Sequence, residues 1–347
     1  MRTPRPFLTI LGGLAVLCLA CEGASAQSTA PSSSAPKTQT AAKSAEFPRT
    51  PDGHPDFQGI WSNATVTPLE RPEKLAGKAF LTKEEAAAFE KQTLEQNDLD
   101  RVEGPRGPDD LAHRAYNQAW IDSGTRVVKT MRTSLVIDPP DGRIPAFTSA
   151  GKKKFDEAHA YADLHPSDGP EDRTLTDRCI QFGNTGPPLL PDGYNTNYQI
   201  VQTQGYVMIL SEMPHAVRAI PLDGRPHLPK GVRQWQGDPR GHWEGDTLVV
   251  DTTNLEYNDK TRFGFFYDGM SDQNLHITER FTRMDADTII YRATIDDPTI
   301  YSKPWTIEAP LNKRREPMYE YACHEGNYAM TDILAGARAE EAKASPK

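Results

Sequence analysis

The chain has 347 residues, a formal net charge of −9 at neutral pH and 29 prolines. Its mixture of apolar and charged residues can bury a core, and no apolar run beyond the N-terminus reaches the roughly 20 residues that cross a bilayer. The acidic balance, without a cluster of Lys or Arg, argues against nucleic acid as a partner. The many prolines favour short elements and ordered turns.

The N-terminus has the pattern of an export signal. A basic start precedes an apolar stretch over residues 7–20, and the small residues at 24–26 suit cleavage. We therefore expect residues 1–26 to be a signal peptide and the mature chain to be periplasmic or secreted, with no integral membrane segment after cleavage. Lipidation at Cys21 is the alternative, although the residues before it form a poor lipidation motif.

Residues 27–46 are rich in Ser, Thr, Ala and Pro and predict a flexible linker, so a single β-rich domain is expected over residues 47–347. The first part of this domain carries helix signals. Thr82 and Glu85 have the spacing of a capping box, which predicts a helix running to about residue 96. The other predicted helices cover residues 110–121, 152–164 and, near the C-terminus, 330–341.

From residue 127 onward, short alternating or β-branched runs are separated by turn residues, which is typical of antiparallel strands. The predicted strands cover residues 134–138, 143–147, 198–203, 206–212, 216–222, 242–244, 247–253, 274–283, 288–295, 301–308 and 318–323. Tight turns join most neighbours. The predicted fold class is therefore mainly β, an antiparallel meander forming a barrel or a sandwich, with short N-terminal helices and a C-terminal helix.

Removal of a signal peptide would leave two cysteines, Cys179 and Cys323. In an exported chain, two thiols in an oxidising compartment predict an intramolecular disulfide. A cysteine nucleophile and a cysteine-rich metal site are correspondingly disfavoured.

The predicted disulfide places ionisable residues near one point, because bridged cysteines hold their Cα atoms about 5–6 Å apart. Asp177 and Arg178 precede the first cysteine, and His324 and Glu325 follow the second. We predict His324 as a catalytic acid or base, Glu325 or Asp177 as its carboxylate partner and Arg178 as an anion holder. The structural alternative is an ion-pair network around the disulfide.

The predicted strand over residues 274–283 contributes a further candidate. Period-2 alternation places His276, Thr278 and Arg280 on one face, which is the outside of a sheet or the inside of a ligand-holding barrel. We predict His276 as a second proton-transfer group. Glu279 falls on the apolar face, where an ionised carboxylate is costly unless it is paired. It is therefore expected either to lie at the end of the strand or to have a raised pKa and a functional role.

Two polar segments predict substrate contacts. Tyr194, Asn195 and Asn197 offer phenol and amide groups that suit sugar or phenolic hydroxyls, while Arg233 and Trp235 place an aromatic ring among charges. Purely conformational turns and a buried tryptophan are the structural alternatives for these two segments.

Four segments carry a resemblance that spans nearly the whole mature chain. They are residues 51–63 (PDGHPDFQGIWSN), 233–238 (RQWQGD), 243–254 (WEGDTLVVDTTN) and 319–327 (YEYACHEGN). The chain resembles a family of exported bacterial proteins on these residues. The resemblance implies export and implies no reaction, cofactor or catalytic residue.

The sequence contains no Gly-x-Ser-x-Gly elbow, phosphate loop, dinucleotide fingerprint or His-Glu-x-x-His motif. We therefore predict an exported hydrolase or lyase that uses His and carboxylate acid–base chemistry on a small glycoside or polyhydroxylated compound. A non-catalytic periplasmic ligand-binding protein is one alternative. A metalloenzyme with a divalent metal on His215, His276 and His324 is the other, and no further cofactor is predicted.

Overall fold

Eleven β-strands and three α-helices make up the part of the chain that the computed structural model describes, which is residues 47–98, 100, 121–256 and 273–344. The strands are β1 (Gly59–Ser62), β2 (Val136–Asp138), β3 (Asn197–Gln202), β4 (Tyr206–Ser211), β5 (Val217–Pro221), β6 (Asp238–Glu244), β7 (Thr247–Thr253), β8 (His276–Asp285), β9 (Thr288–Asp296), β10 (Trp305–Glu308) and β11 (Leu311–Arg314). The helices are α1 (Lys83–Asn97), α2 (Ser149–Leu164) and α3 (Ala329–Ala344), and short 3-10 helices cover Glu73–Leu75 and Pro170–Asp172.

The strands form one antiparallel sheet in the order β5-β4-β3-β1-β11-β9-β8-β7-β6, and β10 joins β9 to β2. The predicted mainly β fold with a C-terminal helix is confirmed. β5 and β6, at the two ends of the order, do not pair, so the sheet is not closed and the barrel alternative is wrong. Each of these strands contains a proline, Pro221 or Pro239, which lacks the N–H that a further ladder requires. A sandwich or open sheet fits the observed order.

Two predicted strands are wrong. In residues 143–147, two backbone N–H groups donate to the carboxylates of Asp141 and Glu70 instead of to a neighbouring strand. In residues 318–323, one backbone N–H donates to the carboxylate of Glu212, and the chain then enters a turn. Side-chain acceptors therefore take the place of ladder partners in both segments.

Two short strands, β1 and β11, were not predicted as strands. They pair with each other, and β1 also pairs with β3, so they join the two halves of the sheet. β1 contains Trp61, whose fully buried indole N–H donates to the backbone oxygen of Phe57 at 2.8 Å. Four residues are too few for alternation to become visible in a sequence.

α1 begins at the predicted capping box, whereas α2 begins at Ser149, ahead of the predicted start at residue 152. Thr82 accepts a hydrogen bond from the backbone N–H of Glu85, whose carboxylate accepts in return from the N–H of Thr82, which confirms the capping box of α1. α2 begins after Thr148, which caps the N–H of Gly151. The expected signal peptide and linker, and nearly all of the expected helix over 110–121, lie outside the described residues.

The large fully buried side chains lie against one side of this sheet, here called the inner face, and include Trp61, Tyr198, Phe281, Tyr291 and Trp305. Along β8 the burial alternates as predicted, with Ile277, Glu279 and Phe281 buried and His276, Thr278 and Arg280 on the half-exposed outer face. In the described parts of the chain no helix has the length and apolar character that crossing a membrane requires.

Candidate functional site

Four side chains form a continuous row of carboxylates and imidazoles on the outer face of β6, β7 and β8. Asp251 of β7 accepts through one oxygen from Nε2 of His276 on β8, and through the other from Nε2 of His227 at 3.2 Å. Nδ1 of His227 donates at 2.9 Å to Asp238 of β6. We call Asp238, His227, Asp251 and His276 the His–Asp chain.

Strand register and one loop position these groups. Residues 238 and 251 point to the same face because β6 and β7 are paired and Arg240 lies opposite Asp251. His227 belongs to the connection between β5 and β6, which is fastened to the end of β7 by Asn254. The carboxamide of Asn254 donates to the backbone oxygens of Leu228, Pro229 and Val232, each at 3.0 Å.

Within the His–Asp chain, His276 and Asp251 each stabilise the charged form of the other. The hydrogen bond to Asp251 raises the pKa of His276, and the charge of nearby Asp296 acts in the same direction. The same hydrogen bond from His276 lowers the pKa of Asp251, with His227 adding to the effect. The pair therefore favours an imidazolium beside a carboxylate.

The Asp238 end is held by three hydrogen-bond donors. Its buried carboxylate accepts from Arg240 at 2.6 Å and from the backbone N–H of Leu228 at 2.8 Å, in addition to His227. Both ring nitrogens of His227 therefore lie within hydrogen-bond distance of a carboxylate, Nδ1 of Asp238 and Nε2 of Asp251. Neither ring nitrogen of His227 is free to react with a ligand.

The His276 end is open. Its side chain is 41% exposed, and among the described residues Nδ1 has no hydrogen-bond partner. An imidazole held through one nitrogen by a carboxylate can move a proton at the other, which is how histidine serves as a general acid or base. Nδ1 of His276 is therefore the atom of the His–Asp chain that can exchange a proton with a ligand.

The inner face of the same strands carries a second ionic group, the Arg218–Glu279–Tyr291 network. Arg218 of β5 pairs with Glu279 of β8 at 2.8 Å, and the phenol of Tyr291 on β9 donates to the same carboxylate oxygen at 2.9 Å. All three side chains are buried, and burial raises the pKa of the Tyr291 phenol. Glu279 lies inside β8, so the expected position at the end of the strand is wrong, and Arg218 supplies the pairing that a carboxylate on this face needs.

The predicted Cys179–Cys323 disulfide is present, with Cα atoms 5.8 Å apart. It joins the turn before residue 180 to the turn that leads into α3. The carboxamide of Asn327 also donates to Sγ of Cys179, at 3.5 Å.

The ionisable residues beside the disulfide have separate surroundings. Asp177 pairs with Arg173 at 2.9 Å, while His324 and Glu325 lie exposed in the turn after the second cysteine. Arg178 is half-buried. Across the described ranges no hydrogen bond or ion pair joins Asp177 or Arg178 to His324 or Glu325. The catalytic roles assigned to these four residues stay predictions.

The predicted substrate residues lie in two places. Tyr194, Asn195 and Asn197 are half-buried beside the start of β3, where the carboxamide of Asn197 donates to Glu212 at 2.6 Å. The backbone oxygen of Asn195 accepts from Asn184 at 3.0 Å. These contacts stabilise the local turn and leave the proposed binding role untested.

Arg233 and Trp235 lie in the β5–β6 connection that carries His227, so the sequence places them in the loop that helps to build the His–Asp chain. Arg233 donates to the backbone oxygen of Leu255 at 3.2 Å, and Trp235 is half-buried. Of the predicted binding residues, these two are the ones that share an element with the His–Asp chain.

The three histidines of the metal alternative are not joined. His215 is exposed between β4 and β5, His324 is exposed near the disulfide, and His276 is bound to Asp251. Within the ranges given above, the structure contains no group of three or more His, Cys, Asp or Glu side chains placed to hold a metal ion.

The sequence analysis identified His276 and missed its three partners. A usable signal existed for Asp251, because alternation in 247–253 places this carboxylate on the face opposite Leu248 and Val250. No local pattern marks His227, whose role depends on a loop folding back over β7. No protein-family model, curated protein or solved structure matches this chain.

Proposed function

We propose that this protein is an exported hydrolase or lyase in which His276 transfers protons and Asp251 holds its imidazole. The observation that carries the proposal is the His276–Asp251 hydrogen bond with Nδ1 left open to solvent. The substrate class we propose is a small glycoside or related polyhydroxylated compound.

The electrostatics favour one direction of proton transfer. Asp251 raises the pKa of His276, which favours the imidazolium, and an imidazolium can act as a general acid toward a leaving oxygen. Asp251 fixes the ring orientation through Nε2 and balances its charge. His227 and Asp238 in turn hold Asp251 in place as positioning residues.

The proton balance is simple in both reaction types. In hydrolysis the Nδ1 proton passes to the leaving oxygen as the C–O bond breaks, water adds to the carbon, and the proton that this water releases restores the imidazolium. In elimination the restoring proton comes from the carbon adjacent to the broken bond, and a double bond forms. Both steps use the same imidazole as acid and then as base.

The exported location of the protein is also part of the proposal. The Cys179–Cys323 disulfide is compatible with an oxidising compartment, which supports an exported location. Arg233 and Trp235, in the β5–β6 connection, supply the donor and the ring that we propose for substrate contact.

A leaving-group series tests the role of His276. Wild-type protein, His276→Ala and Asp251→Asn would be assayed on alkyl glycosides and on 4-nitrophenyl glycosides of the same sugars. Loss of a general acid slows reactions by about 10²–10⁴-fold when the leaving group needs protonation. We expect His276→Ala to cost far more on alkyl than on nitrophenyl substrates, because nitrophenolate leaves without a proton.

His242→Ala is the matched control, since His242 is an exposed histidine of β6 paired with Glu244. It should retain wild-type rates on both substrate types. Equal losses on both substrates in His276→Ala, or no loss at all, would contradict the general-acid role, and absence of turnover by the wild-type protein across the panel would contradict an enzyme of this class.

A further inference from the structure

A recess of about 360 Å³ lies where the loop over residues 50–58 meets the turn between β3 and β4. Its polar lining consists of Thr50, Asp52, Gln58, Gln202, Thr203 and Gln204. The volume is within the range of about 300–1,000 Å³ that small-molecule sites occupy. None of these residues belongs to the His–Asp chain.

The lining favours a neutral hydroxylated ligand. Three carboxamides and two hydroxyls each offer both donors and acceptors, as sugar hydroxyls do. No Lys, Arg or His side chain is among the described residues that line the recess, so an anion finds no counter-charge. Asp52 adds a negative charge, because the Thr50 hydroxyl donates to it and lowers the pKa of its carboxyl.

Backbone and side-chain hydrogen bonds fix the walls before any ligand arrives. The buried Gln202 accepts from the N–H of Phe57 at 3.0 Å and donates to the backbone oxygen of Pro55 at 3.2 Å. The backbone N–H of Thr50 donates to the oxygen of His54 at 2.9 Å, which closes the loop. A preformed wall reduces the ordering cost of binding.

Two carboxamides remain available. Gln58 and Gln204 are exposed at opposite walls of the recess, one from the loop and one from the β3–β4 turn. Their side chains form no hydrogen bond with any residue that the structure describes. They can therefore hydrogen-bond a guest without first breaking a protein contact.

We propose that this recess binds a neutral polyhydroxylated ligand of about one monosaccharide unit through Gln58 and Gln204, at a site separate from the His–Asp chain. Asp52 makes the recess select against anionic sugars. The site neither uses nor requires proton transfer, so it extends the molecule beyond the proposed acid–base reaction.

Titration calorimetry on the full mature chain tests the proposal with glucose, galactose and N-acetylglucosamine as neutral probes and glucuronate as the anionic probe. We expect saturable binding of at least one neutral sugar, at least tenfold weaker in the double variant Gln58→Ala/Gln204→Ala. Gln199→Ala, an exposed carboxamide of β3 outside the recess, should bind like wild type. Glucuronate should bind several-fold more weakly than glucose. Asp52→Asn should reduce this difference between the affinities for glucose and glucuronate.

His276→Ala separates this site from the proposed reaction, because it removes the proton donor and should leave the affinity for the sugar unchanged. Loss of binding in His276→Ala would place the sugar at the His–Asp chain and overturn the separate site. So would wild-type affinity in the double variant, or failure of every neutral sugar to bind the wild-type protein.

Discussion

The two faces of β8 carry ionic groups of opposite character. On the inner face Glu279 is fully buried against Arg218, with side chains 0% and 3% exposed. On the outer face, three residues earlier along the strand, His276 meets Asp251 with side chains 41% and 39% exposed. The two pairs use similar charges in surroundings that differ chiefly in access to water.

Because of this difference in access to water, the two ion pairs have different roles. A buried pair cannot exchange protons with a substrate, and losing either partner leaves a charge without solvent or counter-ion. A half-exposed pair contributes little to stability, yet its free nitrogen can reach a ligand. We therefore assign Arg218–Glu279 to the architecture of the sheet and His276–Asp251 to chemistry.

The largest expected effect on stability follows from breaking the inner pair. Arg218→Met should lower the free energy of unfolding by about 3–5 kcal/mol, because the Glu279 carboxylate would remain buried without its cation. Urea unfolding followed by circular dichroism measures this change. The matched control is Arg280→Met on the outer face of β8, whose pair with Glu244 is exposed and should be worth no more than about 1 kcal/mol. Similar losses in the two variants would remove the distinction between the faces.

A smaller loss is expected from Tyr291→Phe. Its buried hydroxyl donates to Glu279 and accepts from the backbone N–H of Leu189, so removal leaves both groups short of a partner. The cost should be about 1–3 kcal/mol by the same measurement. Tyr206→Phe, which removes an exposed hydroxyl, should change stability by less than about 0.5 kcal/mol. A Tyr291→Phe protein as stable as wild type would mean that the inner network does not depend on this phenol.

The outer pair predicts a modest dependence of stability on pH. The raised pKa of His276 means that its contribution is complete below the ordinary histidine pKa of about 6.5 and is lost as pH rises through the higher folded-state value. The lowered pKa of Asp251 means that its contribution is complete above about 3.9 and is lost as pH falls through the lower folded-state value.

The stabilisation from this pair should therefore be largest between about pH 4 and pH 6.5. Unfolding free energies of wild type and His276→Gln, compared from pH 4 to pH 9, should differ most in that window and converge toward pH 9. A difference that grows above pH 7 would contradict the ionised outer pair.

The smallest effect on stability is expected from His324→Ala, at the exposed turn beside the disulfide. A surface substitution of this kind should change the free energy of unfolding by less than about 0.5 kcal/mol. Its activity, measured in the leaving-group series, decides between two sites. Retained turnover supports catalysis on the outer face, whereas a loss as large as that of His276→Ala would move the reaction to the disulfide region.

Much of the local structure could be read from the chain. The strand over residues 247–253 was predicted to the residue, because alternating apolar side chains meet a Gly-Asp turn at 245–246. The cap of α1 and the two faces of β8 were also correct. These features depend on residues within a few positions of one another, and their signals survive in sequence.

The strands that the sequence did not predict, or predicted wrongly, share a different physical origin. β1 and β11 are each four residues long and are stabilised by pairing with strands far away in the chain. Residues 143–147 have strand composition, yet carboxylates of two other segments take their N–H groups. Neither result can be derived from a window of neighbours.

For this protein the sequence alone determined the bounds of β7, the capped start of α1, which two cysteines were available to pair, and that His276 and Glu279 face opposite sides. Only the tertiary structure decided that His276 meets Asp251 and His227, that Glu279 finds Arg218, and that Gln58 and Gln204 share a recess. The reason is that alternation and capping arise from local backbone geometry. Strand order, register and the path of a loop arise instead from burial and hydrogen bonds between distant segments.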